Sequence, residues 1–282
     1  MINLAFDTLQ LTLFVPRGLE ALTYFLCIII LKNRKRQPEK IDNKLTQIYI
    51  WAFEAWFTYM LIDTLGPVIG GSSINDTFLT SIDFGEQDYI LFQGYTWEVP
   101  SLLIANFLRD VQLIFGFLFV YLSYRACLTI RYGSEEGVKR SKSRLLIASI
   151  VIAAIITITY DSHYIKIYSD YTLEYYTAWD SLGPLGYLGY FVYITIMLYN
   201  TVVLFWMYSQ GRGNLTQQER YNLIHFCLGY LFFLIGLIYW IVFPLIMLVF
   251  QFSINSWIFQ FLGHTFWMIS PLAFLRALVI RK

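Results

Sequence analysis

Residues 221–249 read YNLIHFCLGYLFFLIGLIYWIVFPLIMLV, without a single Asp, Glu, Lys or Arg. A helix needs about 20 mostly apolar residues to cross the hydrocarbon of a bilayer. This stretch exceeds that length, and it is too long and too uniformly apolar for a strand of a membrane barrel. Working outward from it, six further stretches meet the same description, at about 8–31, 45–68, 100–124, 145–160, 186–208 and 256–278. The sequence therefore predicts an all-α fold in which residues 1–282 form a single seven-transmembrane-helix bundle.

Composition agrees with a lipid environment. Charged residues make up 14% of the chain and hydrophobic residues 57%, against roughly 25% charged in an ordinary soluble domain. So few charges could not cover so much apolar surface in water. The formal net charge of +1 and the absence of a basic stripe exclude nucleic acid as a partner. The first apolar run extends beyond a signal peptide's, so no cleaved leader is expected.

The basic residues orient the bundle. Lys32, Arg34, Lys35, Arg36, Lys40 and Lys44 fall between the first and second helices. Arg125, Arg131, Lys139, Arg140, Lys142 and Arg144 fall between the third and fourth. Arg212 and Arg220 precede the sixth helix, and Arg276, Arg281 and Lys282 close the chain, whereas Lys166 lies on the opposite side. Basic loops stay in the cytoplasm. The C-terminus is therefore expected inside and the N-terminus outside, in a multi-pass protein of the cell membrane. Connections 69–99 and 161–185 are then external. The first carries a candidate short hairpin, and each is expected either to cover the bundle as a lid or to anchor it through interfacial aromatic side chains.

Apart from Arg276 at the inner end of the last stretch, six charged residues fall within the spans: Arg17, Glu20, Glu54, Asp63, Arg109 and Asp110. An unpaired charge at a helix centre costs about 2.5–3.5 kcal/mol on insertion scales, so these side chains should face inward and pair. Together with His264 they define a polar slab from mid-membrane outward. Arg17 and Glu20, three apart, share a helix face and are expected to pair locally. Glu54 and Asp63, nine apart, point to opposite sides of a straight helix. Arg109 is expected to be the central cation, within reach of Glu20, Glu54 and Asp110, and the surplus of acid predicts a protonated carboxyl at Glu54. Trp240, four residues before Pro244, supplies a candidate aromatic floor. Glu20, Glu54, Arg109, Asp110, Trp240 and His264 form the candidate ligand site, against the plainer reading of a buried ion-pair network that only fixes helix register.

Several chemistries are excluded by what these spans contain. Retinal requires a lysine inside the bundle, and Lys32, Lys35, Lys40, Lys44, Lys139, Lys142, Lys166 and Lys282 all lie outside it. His225 and His264 are too far apart in depth to sandwich one haem, and Cys27, Cys127 and Cys227 show no metal-binding spacing and no external disulfide. No hydrolase or phosphate-loop motif is present. Neither a catalytic residue, a metal nor a cofactor is expected, and an enzyme ranks third among the readings.

In topology, and at Tyr124-Arg125, Trp240 to Pro244 and Ser270-Pro271-Leu272-Ala273-Phe274, the chain resembles the G-protein-coupled receptors. Through Trp51-Ala52-Phe53-Glu54-Ala55-Trp56 and Glu219-Arg220-Tyr221 it equally resembles the seven-helix input regions of prokaryotic sensors. It departs from the receptors in lacking the external disulfide, the acid at the inner end of the third helix and the Asn before Pro271, so no functional residue is carried over. The resemblance implies a sensor or receptor-like protein that binds a small ligand or ion from outside and signals to a cytoplasmic protein through the basic inner loops. The alternative is an ion or proton channel, or a small-solute transporter, using the intramembrane carboxylates. The inner halves of the helices, nearly all apolar apart from Asn200 and His225, favour the receptor.

Overall fold

The computed structural model describes residues 8–35, 43–69, 99–160, 166–167, 173–174, 186–211, 215–250 and 256–279. They form eight helices: α1 (Thr8–Lys35), α2 (Asn43–Ile69), α3 (Val99–Tyr132), α4 (Ser134–Ser141), α5 (Arg144–Tyr160), α6 (Gly186–Gln210), α7 (Gln217–Phe250) and α8 (Ser256–Val279). A two-residue antiparallel ladder pairs Lys166 with Glu174 and Ile167 with Leu173, between α5 and α6. Among the described residues the protein is all-α apart from this ladder. The hairpin and lid expected over 70–98, and most of the 161–185 connection, lie outside the described residues.

Four of the helices contain segments long and apolar enough to cross a membrane: Asp110–Tyr132, Phe191–Gln210, Gln217–Trp240 and Ile258–Val279. A fifth is obtained if α4 and α5, bent by 53°, are taken as one broken span. Their outward surfaces carry large apolar side chains such as Ile114, Ile152, Phe191, Phe205 and Leu262. A soluble monomer rarely exposes such contiguous apolar surface.

Helix ends differ from the apolar limits read in the sequence. Residues 126–144, expected to be an inner loop, are almost wholly helical, because hydropathy marks where lipid ends and not where backbone hydrogen bonding ends. α3 continues to Tyr132, Gly133 turns the chain at φ +81°, and α4 follows at once. Only glycine enters that left-handed region without strain. Gly137 then lies directly on α3: a Cβ there would stand 2.5 Å from Thr129 Cα. At the start of α7, Thr216 and Glu219 form a capping box, with Thr216 N donating to Glu219 Oε2 at 2.8 Å and Glu219 N to Thr216 Oγ1 at 3.2 Å. That reciprocal pair satisfies two amides that a helix start leaves open, so the helix begins four residues before the expected 221.

The helices close into a ring. α1 packs on α2 and α8, α2 on α3, α3 on α6, α6 on α7 and α7 on α8, while α5 packs outside against α3 and α6. Aromatic side chains fill the centre. Trp56 meets Phe119 at 4.9 Å, Phe233 at 4.8 Å and Trp267 at 5.4 Å between ring centroids. Toward the C-terminal end of α8, Phe274 meets Tyr49 at 5.0 Å and Tyr230 at 4.8 Å. Edge-to-face geometry dominates these contacts, as the ring quadrupole favours.

Candidate functional site

Glu20 lies midway along α1, on the side that faces α2 and α8, and none of its surface is exposed. A bare carboxylate there would be prohibitively costly, so the surrounding helices supply donors. Trp56 Nε1 of α2 donates to Oε1 at 2.6 Å, and His264 Nδ1 of α8 lies 2.6 Å from Oε2. With the carboxylate as acceptor, Nδ1 carries the imidazole hydrogen. His264 is 2% exposed, and its ring stands edge-on to Trp240 at 5.3 Å and to Trp267 at 5.9 Å between centroids. Among the described residues, His264 Nε2 and Trp240 Nε1 are both buried without a hydrogen-bond partner.

A second polar knot joins α1, α2 and α3. Arg17 Nε lies 2.8 Å from Asp63 Oδ2, and its Nη1 donates to the Asp63 carbonyl at 3.3 Å. From α3, Gln112 Nε2 donates to Asp63 Oδ1 at 2.9 Å. Both knots stand above the aromatic centre. The indole of Trp56 links the Glu20 knot to that centre, hydrogen-bonded to Glu20 and stacked on Tyr59 at 4.6 Å.

These contacts correct the pairing read from the sequence. Arg17 and Glu20 do not pair with each other. Three residues place them about 60° apart on a helix wheel, and α1 has different neighbours on those two bearings. Glu54 is absent from the cluster: it is partly exposed, and its Oε1 lies 2.6 Å from Lys32 Nζ. α1 continues past its apolar run, so Lys32 stands on helix opposite Glu54 and its long stem delivers the charge. The protonated carboxyl expected at Glu54 gives way to this ion pair. Glu54 and Asp63, expected on opposite sides of α2, both reach α1, pairing at different depths with Lys32 and Arg17.

Among the described residues, Glu20 and Glu54, the partners expected for Arg109, pair with His264 and Lys32. The Arg109 side chain itself, like that of Pro244, lies outside the described residues. Asp110 is half-buried on α3. Of the six candidate residues, the structure brings Glu20, Trp240 and His264 together. Trp56 and Gln112 were not among the candidates, and neither carried a signal: a Trp in an aromatic-rich helix reads as packing, and only the three-dimensional position of Glu20 reveals its N–H as a needed donor.

Chemically, the cluster is a buried carboxylate with both oxygens engaged, an imidazole hydrogen-bonded to it, and two further buried nitrogens without a partner among the described residues. In the neutral ring Nε2 accepts and the Trp240 indole donates. A group that both donates and accepts could answer both. Comparison with protein family models, characterised proteins and solved structures finds no match, so the meaning of the cluster rests on its own geometry.

Proposed function

We propose that the chain is a seven-helix sensor or receptor-like membrane protein, N-terminus outside and C-terminus cytoplasmic, which binds a small ligand or ion between α1, α7 and α8. The observation that carries this reading is the pair of buried, unpartnered nitrogens, His264 Nε2 and Trp240 Nε1. Buried polar groups are nearly always hydrogen-bonded, and among the described residues these two, on rings 5.3 Å apart between centroids, have no partner, which is what a small polar guest would supply.

Registers between helices support the alternating topology. Successive contacts rise in one helix and fall in the next for α1 and α2 (Arg17 with Asp63, Tyr24 with Phe53) and for α7 and α8 (Tyr230 with Phe274, Trp240 with His264). They rise together for α3 and α6 (Phe117 with Tyr193, Tyr124 with Tyr199) and for α2 and α7 (Tyr49 with Phe226, Trp56 with Phe233). That is the pattern of a chain crossing at every long helix, with α5 as the return between α3 and α6.

Response to the guest would pass along α8. Pro271 removes the backbone donor that would meet the Trp267 carbonyl and leaves α8 soft about two turns beyond His264. Nearby, Ser270 Oγ donates to the Gly229 carbonyl of α7 at 2.9 Å. A shift at His264 therefore reaches the basic end of α8, where a cytoplasmic partner would read it. The aromatic centre below Trp56 argues against a continuous water path, which is why a channel or transporter stands second.

Cysteine accessibility separates the readings. In a cysteine-free background, His264→Cys and Trp240→Cys are treated with a membrane-impermeant thiol reagent from either side of sealed, oriented vesicles. Labelling from the outside alone is expected. No labelling from either side would reduce the cluster to a sealed ion pair, and labelling from both would favour the transport reading.

A further inference from the structure

We propose that Arg131 and Trp206 hold the phosphate of an anionic phospholipid where α3 meets α6. The proposal rests on the membrane-spanning reading and is independent of Glu20 and His264. The apolar segment of α3 ends at Tyr132 and that of α6 at Gln210. Arg131 and Trp206 therefore stand at the limits of two spans, in the layer where headgroups begin and where Trp concentrates.

The parallel register of α3 and α6 brings the two together. The Arg131 guanidinium carbon lies 4.9 Å from the Tyr132 ring centroid and 5.8 Å from that of Trp206, and its Nη1 donates to the Tyr199 hydroxyl at 3.4 Å. Aromatic rings hold a guanidinium in place without neutralising it. Among the described residues no carboxylate pairs with Arg131, so most of its five N–H donors remain available. Arg140 makes the contrast. Its guanidinium lies 4.1 Å from the same Tyr132 ring, but Glu136 Oε1 holds its Nε at 2.9 Å. One cation is matched by its own chain, and the other is fixed by rings with its charge unmatched.

The surface leading away from Arg131 says what kind of anion fits. On α6, Leu198, Val202 and Phe205 are exposed by 49%, 56% and 58%, and Trp206, at 52%, caps the stripe. Spacings of four and three put the first three residues on one face, running about 10 Å from the cation toward mid-membrane. Free phosphate would use the guanidinium and leave the stripe bare. A phospholipid would use both, its phosphate on Arg131 and an acyl chain along α6.

Detergent-purified protein is offered dioleoylphosphatidylglycerol, dioleoylphosphatidylcholine or sn-glycerol 3-phosphate, with bound species read by native mass spectrometry and stabilisation by thermal melting. Phosphatidylglycerol should be retained in preference to phosphatidylcholine, and Arg131→Gln should weaken it roughly fivefold, the worth of one cation at a headgroup layer. Trp206→Leu should weaken it too, whereas Arg144→Gln, an exposed cation nearby, should leave it unchanged. Equal retention of phosphatidylcholine, or an equal loss in Arg144→Gln, would overturn the proposal. So would binding of glycerol phosphate as tight as the lipid's, since the site would then be one for free phosphate. Should Arg131→Gln not survive extraction, Arg131→Lys and Trp206→Leu make the comparison, and unchanged lipid preference in both refutes it.

Discussion

Glu20 is the side chain whose surroundings matter most, because it is wholly buried and its two oxygens meet two different helices. Breaking a buried pair leaves an uncompensated polar group and costs about 3–5 kcal/mol in soluble proteins. Glu20→Leu should therefore lower the melting temperature of detergent-purified protein sharply, and the double change Glu20→Leu with His264→Leu should recover part of the loss by removing the orphaned imidazole as well. If Glu20→Leu melts with wild type, the pair contributes nothing. Asp63→Asn provides a comparison at a partly exposed site. Water already screens that pair, which should be worth nearer 1 kcal/mol. The sequence showed that Glu20 and His264 lie at one depth. It could not show that they meet, since residues 244 apart come together only when the ring closes α8 onto α1.

Between elements, the contact of α7 with α8 is built from glycines facing aromatics. Gly229 faces Phe274, Gly236 faces Trp267 and Gly263 faces Trp240, and a Cβ at Gly229 or Gly263 would stand 2.5 or 2.6 Å from the facing ring. Small residues let helix backbones approach closely in lipid, where no hydrophobic force drives helices together. Here each notch also seats a ring of the aromatic centre. Gly263→Ala should therefore destabilise by about 1–3 kcal/mol, the usual cost of overpacking, and Trp240→Phe should relieve it. A neutral Gly263→Ala in a thermal melt would mean that the seam yields freely. α7 also shows how local signals are missed. Thr216 and Glu219 spell a capping box in plain sequence, and it starts the helix at 217 because backbone amides, not apolar length, set where a helix begins.

At the scale of the whole molecule, the proposed topology makes a direct prediction. With native cysteines removed, Lys35→Cys and Ser81→Cys should label with an impermeant reagent from opposite faces of sealed membranes. Labelling of both from one face would refute the alternating arrangement, whatever the helices look like. The sequon Asn75-Asp76-Thr77 offers an independent readout, since expression in a glycosylating host should modify it if residues 69–99 are external.

Composition alone determined that this chain is helical and apolar enough for lipid, because a span is a local property: about 20 consecutive residues must each be tolerable in hydrocarbon. The charged residues within the apolar stretches were equally legible, since a charge there is conspicuous wherever it points. The choice of partners was decided by the tertiary structure. Arg17 took Asp63 and not Glu20, Glu54 took Lys32, and Glu20 took Trp56 and His264. A residue's helix fixes its depth and bearing, but its partner depends on which neighbour occupies that bearing, and only the closed ring of helices supplies that.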